Sequence, residues 1–233
     1  MDIIKAYTFI IDEENWITKI LIGAVVVFFA FLIVPIFLLF GYQVAVARNV
    51  KDGNKELMPS WGEDLGKMFI DGAIVWVAYL LYALPLILLV ICTALLILPA
   101  AFAADTFDPF AAATAALAGS AALFCIGLLY VIFLIVVLPA VVIQYVRTDE
   151  FGPMFQVREV LGVARDNFVD ILIAVVSGIV ASFVFGLLAI IPICGWLIVV
   201  FVVPVWTQVS MGHLYGQIAA KIEGKPLDMA YAE

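Results

Sequence analysis

Residues 17–48 read ITKILIGAVVVFFAFLIVPIFLLFGYQVAVAR, and the fold turns on whether this stretch crosses a bilayer once or enters it and returns. Its apolar part, Ile17 to Phe40, is long enough to cross, since a hydrocarbon core about 30 Å thick takes about 20 apolar residues in a helix. Read as one long helix kinked at Pro35, it opens a bundle of five spans. Bent into a re-entrant hairpin at Pro35, it begins and ends on one face. The hinge FLIVPIF offers no glycine and no polar group to take up backbone N–H and C=O groups freed at membrane depth. That favours the single kinked span.

Four further segments have the same character: Gly72 to Leu98, Ser120 to Val146, Val169 to Ile191 and Trp196 to Tyr215. The 233 residues are 67% hydrophobic and 13% charged, with a mean hydropathy of +1.22, which lies outside the range of soluble domains. The expected fold is therefore an all-α polytopic membrane helix bundle of about five transmembrane helices. It forms a single integral-membrane domain over residues 1–233, placed in the cell membrane with the lipid bilayer as its first partner. The N-terminus MDIIKAYTFIIDEENW has acids where a signal peptide carries basic residues, so the first apolar run is expected to stay as an anchor.

The net charge of −8 and the dispersal of the eleven Lys and Arg exclude nucleic acid as a partner, because phosphate neutralisation needs a clustered basic face. With five spans, Arg48, Lys51, Lys55, Lys67, Arg147, Arg158, Arg165, Lys221 and Lys225 share one face, cytoplasmic by the positive-inside rule. Lys5 and Lys19 then lie opposite, with the N-terminus, among Asp2, Asp12, Glu13 and Glu14. The hairpin alternative puts all eleven together. Trp16, Trp61, Trp76 and Trp196 fall near predicted span ends and read as headgroup anchors.

The chain also repeats itself. MPSWGEDLG from Met58 aligns with MFQVREVLG from Met154 at an offset of 96, with identities at Met58 and Met154, Glu63 and Glu159, Leu65 and Leu161, Gly66 and Gly162. Each follows a proline-containing helix that ends near an arginine, Pro35 with Arg48 and Pro139 with Arg147. Gly41 and Gly53 match Gly212 and Gly224 at an offset of 171, with Pro204 ahead of the second pair. The imperfect internal repeat divides the chain into a surface segment 1–16, repeat one at about 17–98, repeat two at about 120–191, a closing helix at about 196–222 and a tail 223–233. Each repeat reads as exit helix, polar loop, amphipathic surface helix and return helix. Trp61, Leu65, Met68 and Phe69 in the first surface helix, and Val157, Val160, Leu161 and Ala164 in the second, fall at helical spacing opposite charged residues, the pattern of helices lying in the interface. Ile3, Ile4, Tyr7, Ile10 and Ile11 are expected to form a similar helix on the other face.

WITKILIG from Trp16, GYQVAVAR from Gly41 and DGNKELMPSWGEDLGKMFIDG from Asp52 carry a family resemblance. From about Phe9 to Gly72 the chain resembles the prokaryotic integral-membrane family named domain of unknown function 4013. The specific positions are Gly41-Tyr42, Arg48, Gly53, Leu57, Pro59, Trp61, Gly66, Phe69, Asp71 and Gly72. The later helices resemble it in architecture, and Met58 departs from it by separating Leu57 from Pro59. The resemblance implies a small polytopic membrane protein and supplies no activity.

An ionisable residue at mid-depth would be a functional candidate by default, and the five predicted segments have none there. Asp71 and Asp170 at helix starts read as caps or interface residues, with an ion site as the alternative. His213, the single histidine, has no partner at ligand spacing. Asp105 and Asp108 fall short of the about six to eight oxygens calcium takes. Cys92, Cys125 and Cys194 lack C-x-x-C spacing and read as apolar packing residues. No cofactor and no metal are expected. Gln144, Gln208, Ser177 and Ser182 read as interhelical hydrogen-bonding groups. The stripes Gly178, Ser182, Gly186 and Gly212, Gly216, Ala220, with Ala111, Ala115 and Gly119, allow close helix approach inside the bundle or against a partner.

These features support a non-enzymatic scaffold or accessory subunit, with a membrane-protein partner or a homo-oligomer. The alternative is a transporter or channel for a small or amphipathic solute or a lipid, built between the repeats. A lipid-acting enzyme is weakest, because no nucleophile, base or metal set is visible.

Overall fold

A computed structural model describes residues 1–103 and 109–225, the side chains of 96–103, 109–120 and 122 excepted. The turn with Asp105 and Asp108, the side chains of Ala111, Ala115 and Gly119, and the tail beyond Lys225 lie outside the described residues. Every regular element among the described residues is helical: α1 Ile3–Asp12, α2 Trp16–Phe28, α3 Val34–Asp52, α4 Leu65–Ala103, α5 Pro109–Thr148, α6 Val157–Asp166, α7 Phe168–Gly186, α8 Cys194–Leu197 and α9 Val203–Ile222. The chain divides into two compact units, residues 1–78 with 139–233, and residues 79–138.

Residues 17–48 form a hairpin, which corrects the expectation of one kinked span. α2 stops at Phe28, a 3-10 turn over Ala30–Leu32 follows, and Ile33 takes a positive φ of 67° before α3 begins. Pro35 stands in the first turn of α3, where the missing N–H costs nothing, so the proline starts a second helix instead of kinking the first. The tip closes on its own backbone: Phe29 N–H donates to Val25 O, Leu32 to Phe29, Ile33 to Ala30 and Ile36 to Ile33. The polar groups whose satisfaction at membrane depth counted against a hairpin are thus met by the turn itself. α2 has 13 residues, about 20 Å of helix against a core of about 30 Å, too short to cross.

Among the described residues, four helices are long and apolar enough to span a membrane: Leu65–Leu95, Leu123–Thr148, Phe168–Ile190 and Cys194–Ile222. The expected five spans become four and a hairpin. Lys19 Nζ donates to Met58 O at 2.6 Å, which holds the base of α2 against the loop after α3. Asp2 N–H donates to Gln217 Oε1 at 2.8 Å near the end of α9. The N-terminal helix therefore packs beside the polar loop after α3 and the end of α9, not at the opposite end of the helices from them.

In the first unit, α3 and α9 run side by side in the same direction, with a Cβ at Gly212 falling 2.7 Å from Gln43 O and one at Gly216 falling 2.5 Å from Ala47 O. Both end alike. Gly53 at φ 70° and Gly224 at φ 68° cap them, and Asn54 N–H donates to Asn49 O, as Lys225 N–H does to Ala220 O, both at 3.0 Å. This is the six-to-one closure of a helix ending in a left-handed residue. The residues paired by the offset of 171 thus end their helices identically. At the offset of 96, Met58 and Met154 are both fully buried at 0% exposure.

Of the two expected surface helices after the exits, only the second forms separately, as α6. Residues 61–64 turn, Asp64 has a φ of 53°, and Leu65 already begins α4. No proline separates Leu65 from the apolar run after Gly72, so the two merge into one helix.

Candidate functional site

Because α4 starts at Leu65, Asp71 falls well inside it and is not its cap. It is 5% exposed and meets Arg48, 8% exposed, through both guanidinium nitrogens. Tyr145 O–H donates to Asp71 Oδ1 at 2.6 Å, and the Arg48 guanidinium lies 5.1 Å from the Tyr145 ring centroid. Asp149 Oδ1 sits 2.6 Å from Arg48 Nε. Burial works against the Arg48 charge, and the hydrogen bond and charge of Asp71 with Asp149 outweigh it, raising its pKa above the ordinary arginine value. Lys51 Nζ donates to Val146 O at 2.8 Å one turn further on. Side chains from α3, α4 and the end of α5 are thereby tied at one level.

Arg48 and Asp71 line a polar cleft of about 350 Å³ with Asn49, Asn54, Glu56, Glu63, Asp64 and Lys67. With Arg48 and Asp71 bound to each other, three carboxylates face one lysine, so the cleft favours cations over anions. No group of three or more His, Cys, Asp or Glu among the described residues is placed to hold a metal ion.

A second buried set fixes the loop. Glu13 Oε1 accepts from Leu57 N–H at 2.5 Å and Met58 N–H at 3.0 Å. Trp61 Nε1–H donates to Lys19 O at 2.7 Å, and its ring stacks on Tyr42 at 4.3 Å. Trp61 is therefore a core residue and not the headgroup anchor expected. A third set joins the chain's two ends: Phe9 stacks on His213 at 4.5 Å, and Gln217 lies 3.0 Å from His213 Nδ1.

A family model described as a protein of unknown function, DUF4013, matches residues 24–194. The chain belongs to that family. No curated protein and no solved structure matches it. The DUF4013 match includes Arg48, Asp71, Tyr145 and Asp149, whereas Glu13, Lys19, His213 and Gln217 fall outside it.

The other singled-out residues separate by role. Gly72 packs against the Phe37 carbonyl. Arg147 donates to Gln144 Oε1 at 3.1 Å, and Gln144 donates to Glu159 of α6 at 3.1 Å. Gly178 faces Met211, and Gly212 and Gly216 face α3, so these three glycines pack inside the bundle. Ser182 is exposed and Gly186 has open space around it. Asp170 pairs with Lys221 at 2.5 Å, much as Asp71 pairs with Arg48. Cys92, Cys125 and Cys194 are exposed on apolar helices, not packed inside. No motif singles out Tyr145, Asp149, Glu13 or Gln217; the one available signal is that Tyr145 and Asp149 flank Arg147 in QYVRTDE.

Proposed function

We propose that this membrane protein is a non-enzymatic scaffold or accessory subunit of a membrane complex, in the cell membrane with its basic face cytoplasmic. The observation that carries the reading is the mutual engagement of Arg48, Asp71, Tyr145 and Asp149. The most buried ionised groups brace three helices, and groups held this way are poorly placed to move protons or attack a substrate. The second unit supports the reading from another side. Between α4 and α5 it has an apolar cleft of about 900 Å³, lined among others by Leu86, Leu89, Ala94, Ala121, Gly127 and Val131. Small residues in such a cleft admit close approach of a transmembrane helix from a partner or a second copy. Purification in a gentle detergent tests this: a particle heavier than the 25.4 kDa chain by light scattering, corrected for detergent, is expected. A clean monomer with no bound subunit would overturn it.

A second reading, transport of a small solute, draws on Gln43 Oε1 of α3 and Trp206 Nε1, Thr207 Oγ1 and Ser210 Oγ of the adjoining α9. All four atoms are buried without a hydrogen-bond partner among the described residues, and water or a polar solute would satisfy them. Against it, Gln144, Ser177 and His213, which a solute path between the repeats would need, are engaged with other residues. Solute flux into proteoliposomes that is abolished by Gln43→Leu would favour transport over the scaffold.

A further inference from the structure

We infer that the outer side of α6 is a binding site for the headgroup of an acidic phospholipid, with Arg158 and Arg165 holding the phosphate and Val157 and Leu161 lying along an acyl chain. The inference starts from how α6 is fixed. Val160, Val163 and Ala164 are buried within the first unit, and the Glu159 carboxylate is turned toward Gln144 of α5, from which it accepts at 3.1 Å. That orientation is set by protein contacts and leaves Val157, Arg158, Leu161 and Arg165 exposed together on the opposite side.

Those four residues and Gly162 line a shallow groove of about 600 Å³. A Cβ on Gly162 would meet nothing within 4 Å, so the glycine leaves a dent between the two arginines. Arg158 has no ion pair or hydrogen bond among the described residues. Arg165 has only Asp166, at 3.8 Å, with both side chains more than two-thirds exposed, a contact of little strength in water. Two guanidinium groups two helical turns apart on one side, beside branched apolar side chains, complement a phosphate with hydrocarbon attached.

Position decides between a lipid and other anions. α6 ends at Asp166 and the spanning helix α7 begins at Phe168, so no linker separates α6 from the hydrocarbon. Exposed Phe168 and Val169 continue the apolar surface from α6 onto α7. A helix so placed lies at headgroup level, where acidic lipids concentrate near basic residues on the cytoplasmic leaflet.

The test uses the full chain reconstituted in nanodiscs of phosphatidylcholine with phosphatidylglycerol as a minor component, followed by native mass spectrometry of retained lipid. The wild type is expected to keep phosphatidylglycerol in preference to phosphatidylcholine. R158Q/R165Q is expected to lower that retention by about thirtyfold, since each of the two arginines near a charged surface contributes on the order of 1 kcal/mol and about 1.4 kcal/mol is tenfold. G162L, which fills the groove and leaves the charge alone, is expected to lower it as well. Neither variant is expected to lose thermal stability, because Arg158 and Arg165 are exposed and a Cβ on Gly162 meets nothing within 4 Å. Equal retention of the two lipids by the wild type would overturn the proposal. So would unchanged phosphatidylglycerol retention in R158Q/R165Q, including the case where that variant loses a co-purifying acidic protein instead. Displacement of the lipid by inorganic phosphate alone would also overturn it, since the acyl contact with Leu161 would then contribute nothing.

Discussion

Arg48 of α3 and Asp71 of α4 form a buried ion pair that Tyr145 of α5 completes with its hydroxyl on one side and its ring on the other. Removing Asp71 leaves the buried Arg48 charge with only the exposed carboxylate of Asp149 beside it, whereas replacing both members by apolar groups of similar size leaves no buried charge. Asp71→Ala is therefore expected to cost about 3–5 kcal/mol of stability, and Arg48→Met with Asp71→Leu to recover most of it. Thermal unfolding in detergent, followed by size-exclusion chromatography, measures both. If Asp71→Ala melts with the exposed control Asp166→Ala, the pair is not a brace.

The hairpin fixes which residues share a face. With Cys92, Cys125 and Cys194 replaced, single cysteines at Asp12 and at Lys55 are expected to react with a membrane-impermeant maleimide from the same side. Lys19 bonded to Met58 and Glu13 to Leu57 permit no other arrangement. A cysteine at Phe31, 73% exposed at the apolar tip, is expected to react from neither side. Labelling of positions 12 and 55 from opposite sides would restore the single span.

What could be read from the chain alone was whatever depends on local pattern. Apolar length gave the spans from Leu65 onward, and the glycines at offset 171 gave two helix ends that close identically. The stretch 17–48 is ambiguous in sequence because composition does not report direction. Pro35 is compatible with a kink or with a helix start, and the 3-10 hydrogen bonds that make the second workable come from backbone, which every sequence has. Asp71 was placed at a helix start for a similar reason, since Asp-Gly marks boundaries elsewhere and here continues a helix. Its partners are 23 and 74 residues away, and no spacing rule reaches that far.

α3 and α4 cross where Gly41 and Gly72 meet. A Cβ on Gly41 would run into the Met68 carbonyl, and one on Gly72 into the Phe37 carbonyl; both obstacles are backbone and cannot rotate away. Gly41→Ala and Gly72→Ala are each expected to cost about 2 kcal/mol or more, as overpacking does when nothing can yield. Gly66→Ala in the first turns of α4 has open space around it and is expected to gain up to about 1 kcal/mol from helix propensity. Melting temperatures that move together for all three would mean the crossing is looser than described.

The two hairpin tips have strained residues in equivalent places. Ile33 follows the 3-10 turn Ala30–Leu32 with φ 67° and ψ −48°, and Ile193 follows Leu187–Ile190 and Pro192 with φ 64° and ψ −70°. Around Ile193 the Cys194 N–H donates to Pro192 O at 2.8 Å, a three-residue turn of the rare positive-φ kind. A β-branched residue is disfavoured there, and such a conformation costs on the order of 1–3 kcal/mol. Glycine adopts it freely. Ile193 is also 77% exposed, so its replacement gives up little packing inside the protein. Ile193→Gly is therefore expected to raise stability by about 1 kcal/mol after allowing for the greater freedom of glycine in the unfolded chain. Ile193→Ala, which keeps a Cβ at positive φ, is expected to give no such gain. Equal behaviour of the two variants in thermal unfolding would show that the tip relaxes without strain.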